Sequence, residues 1–395
     1  MGYKLVNILR NKRWEFFLVF WCVNLLLGVV YKFYYYYTGQ HLQYTWLPDM
    51  ALLFLLLANL FILKNRFVLV GVFSLFFFKV IGSLLIADIY TVPLDLYKDV
   101  VKTWMGYIYI FPLFLFLSEE TGDSKSGVPR KIRNVFVVFA GGMALSVFVG
   151  LLFRAYVVHT YTDPERFGIS GFLFPSSYVS YFYMISISSA YLLQRHWGEV
   201  KAYSILIFAL SIAALFSGTK SSYLFLLLFY AILVLDRAWY LKKWFWFVVS
   251  GLVVGVFIIR DRLIDVFSVL VELYQKEDFL TFALSYRNVY AQDTWQFVAE
   301  HWSMVNYLVG GLNNSTQLTE MGFIDIFLNF GILGFLLFVY LFYNLILRQL
   351  YWSSTLIVLS IGILFLVALG GNFFDRVYLM YWLTFLFILQ RLPRN

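Results

Sequence analysis

The sequence has little charge and almost no cysteine, and both shortages limit what the chain can be. Only 13% of its 395 residues are charged, whereas a soluble globular domain carries about a quarter. The single cysteine, Cys22, excludes an internal disulfide framework. The HExxH, paired CxxC and P-loop motifs are also missing, so we expect no metal site, no nucleotide and no other cofactor.

The sequence has long apolar segments instead. Hydrophobic residues make up 62% of the chain and aromatic residues 22%, in runs near the roughly 20 residues that cross a bilayer. We predict an all-α polytopic transmembrane helical bundle, one integral membrane domain over residues 1–395. About twelve predicted spans lie at 16–35, 47–63, 67–87, 104–118, 135–153, 173–193, 202–217, 219–235, 244–259, 323–346, 353–369 and 376–390.

The basic residues predict how the bundle is oriented. Lys and Arg are concentrated in every second connecting segment, and these segments are short, as expected for cytoplasmic loops. Both termini then lie in the cytoplasm, and the net charge of +8 is explained without a nucleic-acid partner. The opposite side carries two longer loops, at 154–172 and 260–322.

The loop at 260–322 contains two helical patterns. Polar residues of the first pattern recur at spacings of three and four residues, at Asp261, Asp265, Ser268 and Glu272. The second pattern has an apolar stripe that includes Trp295 and Trp302. We predict two amphipathic helices, which either lie on the outer membrane face or only cap the bundle.

Ionisable residues beside apolar segments are costly and therefore mark candidate sites. Lys220 lies between two apolar runs, Arg166 lies in the first outer loop, and Arg287 begins the second amphipathic pattern. Each also has a simpler explanation, as a residue that marks a helix end or pairs with a nearby carboxylate. Together they suit an anionic substrate such as a diphosphate, because guanidinium binds phosphate through two bonds and lysine acts as a point charge.

Arg154 and His301 are further candidates for substrate binding. Arg154 follows directly after a predicted span, where a basic side chain commonly reaches the membrane surface. His301 is a lone histidine, a type that is usually structural. Both therefore have structural alternatives.

The segment LNNSTQLTEMGFIDIFLNFGILGFL, residues 312–336, contains a candidate base. A sugar donor with a diphosphate leaving group needs stabilisation of the departing charge, and a hydroxyl acceptor needs a general base. Glu320 lies at the membrane edge and is our candidate for that base. Asn313 and Asn314 can hydrogen-bond a sugar chain. Glu320 has a structural alternative, since a carboxylate is favourable at the N-terminus of a helix.

Three pieces of the sequence also occur in a characteristic order. RFGISGFLFPSSYVSY places an arginine, a glycine and an aromatic residue before a proline-containing span entry, and FSGTKSSYLFLL is a short turn with a basic residue. SYRNVYAQDTWQFVAEHWSMVNYLVGGLNN then precedes TEMGFIDIFLNFGILGFL. In this order they resemble the bacterial O-antigen polymerases and, more distantly, the O-antigen ligases of the same superfamily. The resemblance covers most of residues 166–336.

The resemblance implies a glycosyltransferase of the inner membrane that joins oligosaccharide repeat units carried on undecaprenyl diphosphate, at the periplasmic face. By position, Arg166 and Arg287 would bind the diphosphate or sugar, and Lys220 would be the basic residue of the turn. Ligases place a His-Asn pair eleven residues before the first glycine of the closing motif, where this chain has Glu320 and Met321. This departure favours a polymerase.

Two alternatives to a polymerase stay open. A ligase would pass the same glycan to lipid A-core, and a non-enzymatic transporter would move the lipid-linked oligosaccharide. Membrane lipid and the lipid-linked substrates are the expected partners, and a chain-length regulator protein is typical of the family.

Overall fold

The computed structural model describes most of the chain. The described residues are 11–39, 46–62, 66–87, 93–118, 130–153, 158–160, 167–172, 176–197, 200–258, 260–261, 264, 272, 274–312, 319–350, 354–370, 373–374 and 376–391. Within these residues the chain is helical and contains no strand, apart from one isolated bridge between His159 and Ile169. The predicted all-α class is confirmed.

The α-helices are numbered here in chain order. They are α1 Arg13–Thr38, α2 Trp46–Ile62, α3 Arg66–Leu85, α4 Pro93–Ile108, α5 Ile110–Ser118, α6 Arg130–Phe153, α7 Ser176–Trp197, α8 Val200–Phe216, α9 Lys220–Asp236, α10 Lys243–Ile258, α11 Phe279–Leu284, α12 Arg287–His301, α13 Met304–Val309, α14 Gly322–Leu345, α15 Ser354–Gly370 and α16 Val377–Arg391. Short 3₁₀ turns occupy Trp239–Leu241 and Leu347–Gln349.

Each predicted apolar segment coincides with helix over most of its described residues. Five helical stretches are long and apolar enough to cross a membrane: Arg13–Thr38, Phe67–Leu85, Lys98–Leu117, Arg130–Phe153 and Gly322–Gln349. Other apolar helices, including α8 and α16, are shorter. The fold is that of a helical membrane protein, while the number of spans and their orientation stay predictions.

The fourth predicted span, 104–118, differs in detail from the structure. It is divided into α4 and α5 at Tyr109. Pro112 has no N–H with which to bond the carbonyl of Ile108, and its ring collides with that carbonyl in a regular helix, so the helix is interrupted there. The carbonyl of Pro112 accepts a hydrogen bond from Asn59 Nδ2 at 2.8 Å, which ties α5 to α2.

The core of the bundle is built from large aromatic side chains. Trp382 on α16 packs edge-on against Trp21 and Phe182, with ring centroids 4.8 and 4.7 Å apart. From Leu379 to Gln390, α16 is buried on every side, which is typical of a helix at the centre of a bundle. Lipid offers no hydrophobic driving force between helices, so this close packing is a main source of their association.

Candidate functional site

Arg287 is positioned by a sharp turn between α11 and α12. The Asp278 side chain caps α11 by accepting from the Thr281 N–H at 3.2 Å. Ser285 and Tyr286 follow α11 with φ angles of 54° and 67°, in the left-handed region, and α12 begins at the next residue. Non-glycine residues rarely adopt this conformation, so the surrounding structure holds the turn.

The Arg287 guanidinium binds the chain at Glu320, 33 residues further on. Its Nε donates to the Glu320 carbonyl at 3.1 Å, its Nη1 to the Leu284 carbonyl at 3.1 Å and its Nη2 to the Glu320 carboxylate at 3.3 Å. The Arg287 side chain is 20% exposed and that of Glu320 47%. The structure therefore brings two predicted site residues into direct contact, at a place open to solvent.

Backbone strain is concentrated around this ion pair. In the described part of the chain, four non-glycine residues have positive φ, and three of them are Ser285, Tyr286 and Glu320. Such conformations cost about 1–3 kcal/mol each, and they cluster at functional sites. The strain supports the Arg287–Glu320 pair as a functional site.

Lys220 contacts the same short helix, α11. Its ammonium donates to the carbonyl of Phe282 and lies 3.9 Å from the centroid of the Phe282 ring. Lys220 begins α9, directly after a turn in which the Thr219 hydroxyl donates to Ser222 Oγ at 2.7 Å. Because Arg287 bonds Leu284 at the end of α11, both cations meet around this one element.

The loop at 154–172 docks on the turn that precedes Lys220. Gly218 has a φ of 71°, and a Cβ there would collide with the carbonyl of Phe167. The Ile169 N–H donates to the Phe216 carbonyl at 2.7 Å. Predicted site residues outside the described residues are Arg154, Arg166, Asn313 and Asn314.

A buried carboxylate, Asp325, organises the chain around Glu320. Its Oδ1 accepts from the backbone N–H and the hydroxyl of Thr319, at 3.1 and 2.8 Å, and its Oδ2 accepts from the Met321 N–H at 3.1 Å. These bonds to a charged acceptor fix the residues on both sides of Glu320. Asp325 was not predicted as a site residue, although its place as the acidic residue in the first turn of α14 is a recognisable signal in the sequence.

A second polar cluster lies deeper in the bundle, around Lys79 of α3. Lys79 is fully buried, and its ammonium donates to the Leu312 carbonyl and, at 2.6 Å, to Asn329 Oδ1. Asp99 Oδ2 lies 3.9 Å from the same nitrogen. Asn329 donates to the carbonyl of Asp325 at 2.8 Å. Lys79 therefore ties the loop at 260–322, through Leu312, to α3. It also ties α3, through Asn329, to α14, which begins beside Glu320.

Glycines allow the long loop to approach α14 and α3 closely. Gly331 interrupts α14 with a φ of 66°, and a Cβ there would collide with the backbone of Leu308 and Val309. Asn306 donates to the carbonyl of Gly82 at 3.1 Å. The α13 helix therefore packs directly against backbone, which positions Leu312 over Lys79.

The loop at 154–172 is also held by a buried lysine of α1. Lys32 donates to Ser170 Oγ at 2.5 Å and to the Gly171 carbonyl, and no carboxylate of the described residues pairs with it. Burial, and then the Lys32 charge, lower the pKa of the nearby His159. Lys32, Lys79 and Lys220 thus each bond a backbone carbonyl of one of the two long connecting segments, 154–172 or 260–322.

His301 lies away from the Arg287–Glu320 pair. It ends α12, where its Nδ1 is 3.0 Å from the Phe297 carbonyl and its ring stacks on the Phe297 ring at 4.4 Å. Fourteen residues of helix separate it from Arg287, which is about 21 Å at 1.5 Å per residue. The structure therefore does not bring His301 into the cluster.

The described residues include no group of three His, Cys, Asp or Glu side chains that could hold a metal ion. What the site offers is cations, one solvent-facing carboxylate and backbone carbonyls. No protein family, curated protein or solved structure matches this chain. The chemistry of the site therefore rests on its own residues.

Proposed function

We propose that the protein is a membrane glycosyltransferase that joins oligosaccharide repeat units carried on undecaprenyl diphosphate, as O-antigen polymerases do in lipopolysaccharide synthesis. The observation that carries the proposal is the meeting of Arg287 and Lys220 around α11, beside the half-exposed carboxylate of Glu320. The lipid carrier, the bacterial inner membrane and the periplasmic face are proposed because the order of the sequence motifs resembles that of O-antigen polymerases.

The cations act on the leaving group. Arg287 and Lys220 bind the diphosphate that links the growing chain to its lipid. The bond between the anomeric carbon and the diphosphate oxygen breaks, and the electron pair leaves with the diphosphate. Positioned cations stabilise this developing charge, and we assign Arg166 to the same task.

Glu320 acts on the acceptor. A hydroxyl of the incoming repeat unit attacks the anomeric carbon, and its proton passes to the Glu320 carboxylate as the new glycosidic bond forms. Asn313 and Asn314, seven and six residues before Glu320 in the chain, would hydrogen-bond the acceptor sugars. No cofactor enters this scheme.

Reconstitution in vesicles with undecaprenyl-diphosphate-linked repeat units tests the proposal, with product length read on a gel. We expect Arg287→Ala to lower polymer formation by about 10²–10³-fold, the usual loss when a group that stabilises transition-state charge is removed. Arg287→Lys should recover little of it, because lysine lacks the planar fork. Arg260→Ala is the matched control, since Arg260 is 66% exposed and, within the described part of the chain, its one ion-pair partner is its neighbour Asp261.

Two other outcomes would overturn the proposal. Transfer of intact glycan to lipid A-core without chain growth would indicate a ligase. Movement of lipid-linked repeats across the vesicle without any new glycosidic bond would indicate a transporter.

A further inference from the structure

We infer that Glu320 competes with the substrate diphosphate for Arg287, so that the diphosphate releases the base when it binds. The inference rests on the proposed function and adds an order of events to it. In the free protein Arg287 holds Glu320, and in the complex it holds the diphosphate.

Only one of the bonds to Arg287 can be exchanged easily. Two of its three nitrogens bond backbone carbonyls, those of Leu284 and Glu320. Both carbonyls are fixed, the first by the turn after α11 and the second by the Asp325 bonds around Glu320. The third nitrogen, Nη2, bonds a side-chain carboxylate, which can rotate away. An arriving anion therefore meets one replaceable partner on an arginine that stays in place.

The exchange is favourable on charge and geometry. The Glu320 carboxylate is 47% exposed, and an ion pair in contact with water is weak. A diphosphate carries more negative charge and offers several oxygens to the guanidinium. Lys220, which bonds α11 at Phe282, adds a second positive charge.

The exchange makes the base available at the right moment. A carboxylate paired with a guanidinium is a poor proton acceptor, because the neighbouring positive charge favours its ionised form. Once the diphosphate takes Nη2, the carboxylate loses that partner and lies beside the bound donor. It can then accept the proton of the attacking hydroxyl, while the diphosphate departs with the electron pair of the broken bond.

Binding of inorganic pyrophosphate to the purified full chain, measured by calorimetry, tests this inference without any glycosyl transfer. We expect Glu320→Gln to bind pyrophosphate about two- to fivefold more tightly than the wild type, the value of one exposed ion pair. Glutamine keeps the backbone carbonyl and the shape of the side chain. Arg287→Gln should lose most of the binding.

The matched control is Glu300→Gln. Glu300 is an exposed carboxylate on α12 that accepts from Gln296 at 3.0 Å, so this variant removes the same charge away from Arg287. We expect its affinity to equal that of the wild type. Circular dichroism of each variant checks that the helical fold is retained.

The outcomes separate the inference from the proposed function. Equal pyrophosphate binding by the wild type and Arg287→Gln, or none by either, would remove the diphosphate site and the proposed function with it. Binding that needs Arg287 but is no tighter in Glu320→Gln would overturn the inference alone. If Glu300→Gln gained as much affinity for pyrophosphate as Glu320→Gln, the inference would also be overturned, because the change in net charge alone would then explain the tighter binding.

Discussion

Lys79 and Arg287 hold the same stretch of chain at the same end of the bundle, yet their surroundings are opposite. Lys79 is wholly buried and bonds two oxygens, with the carboxylate of Asp99 only 13% exposed at 3.9 Å. Arg287 is partly exposed and pairs with a carboxylate that is nearly half exposed. The first cation is enclosed by fixed partners, and the second has a partner that water already reaches.

From this difference we propose that Lys79 is a structural cation and Arg287 a functional one. Removing one member of a buried ion pair leaves the other uncompensated in a medium that solvates it poorly, which is costly. Removing one member of an exposed pair leaves a group that water can solvate, so little stability is lost. We therefore expect stability to depend on Lys79 and activity to depend on the Arg287–Glu320 pair.

The largest effect on stability is expected from Lys79→Met. The substitution removes the ammonium that bonds the buried Asn329 and lies beside the largely buried Asp99, so we expect the free energy of unfolding to fall by about 3 kcal/mol. Chemical unfolding in mixed micelles measures it. Lys102→Met, at an exposed lysine of α4, should change stability by no more than about 0.5 kcal/mol. Equal losses in the two variants would show that Lys79 is not a structural anchor.

A smaller loss of stability than in Lys79→Met is expected from Lys32→Met. Lys32 also holds an outer loop, through Ser170 and Gly171, but no described carboxylate is left uncompensated when it is removed. We expect a loss of about 1–2 kcal/mol, the cost of one or two buried acceptors without a donor. The same micelle unfolding gives the value. A loss as large as that of Lys79→Met would mean that the counter-ion does not explain the difference between the two lysines.

The helices were predictable from the sequence because each is a local property of one apolar run. A helix beginning at Arg287 was predicted and is present, but the apolar stripe behind that prediction also included Leu284, which lies in α11. The break at Tyr109 was missed because the hydropathy of the run continues through Pro112. The local hydropathy pattern thus predicted where the helices lie but not the break between α4 and α5.

The contacts that make the site were not predictable in the same way. Arg287 meets Glu320 across 33 residues, and Lys79 meets Leu312 across 233. These pairings depend on glycines such as Gly331 that let backbones approach, and on Asp325, which fixes the chain around Glu320. Candidate residues could be named from their charge, whereas their grouping required the fold.

The smallest effect on stability is expected from Glu320→Gln. Glu320 is exposed enough that losing its charge should change the free energy of unfolding by no more than about 0.5 kcal/mol. Its backbone carbonyl, which the substitution keeps, still anchors Arg287. The same variant should lower polymer formation by about 10²-fold or more, because it lacks the base. Micelle unfolding and the vesicle assay measure the two quantities on one preparation. A stability loss close to that of Lys79→Met, with polymer formation retained, would make Glu320 a structural residue and reverse the contrast between the two cations.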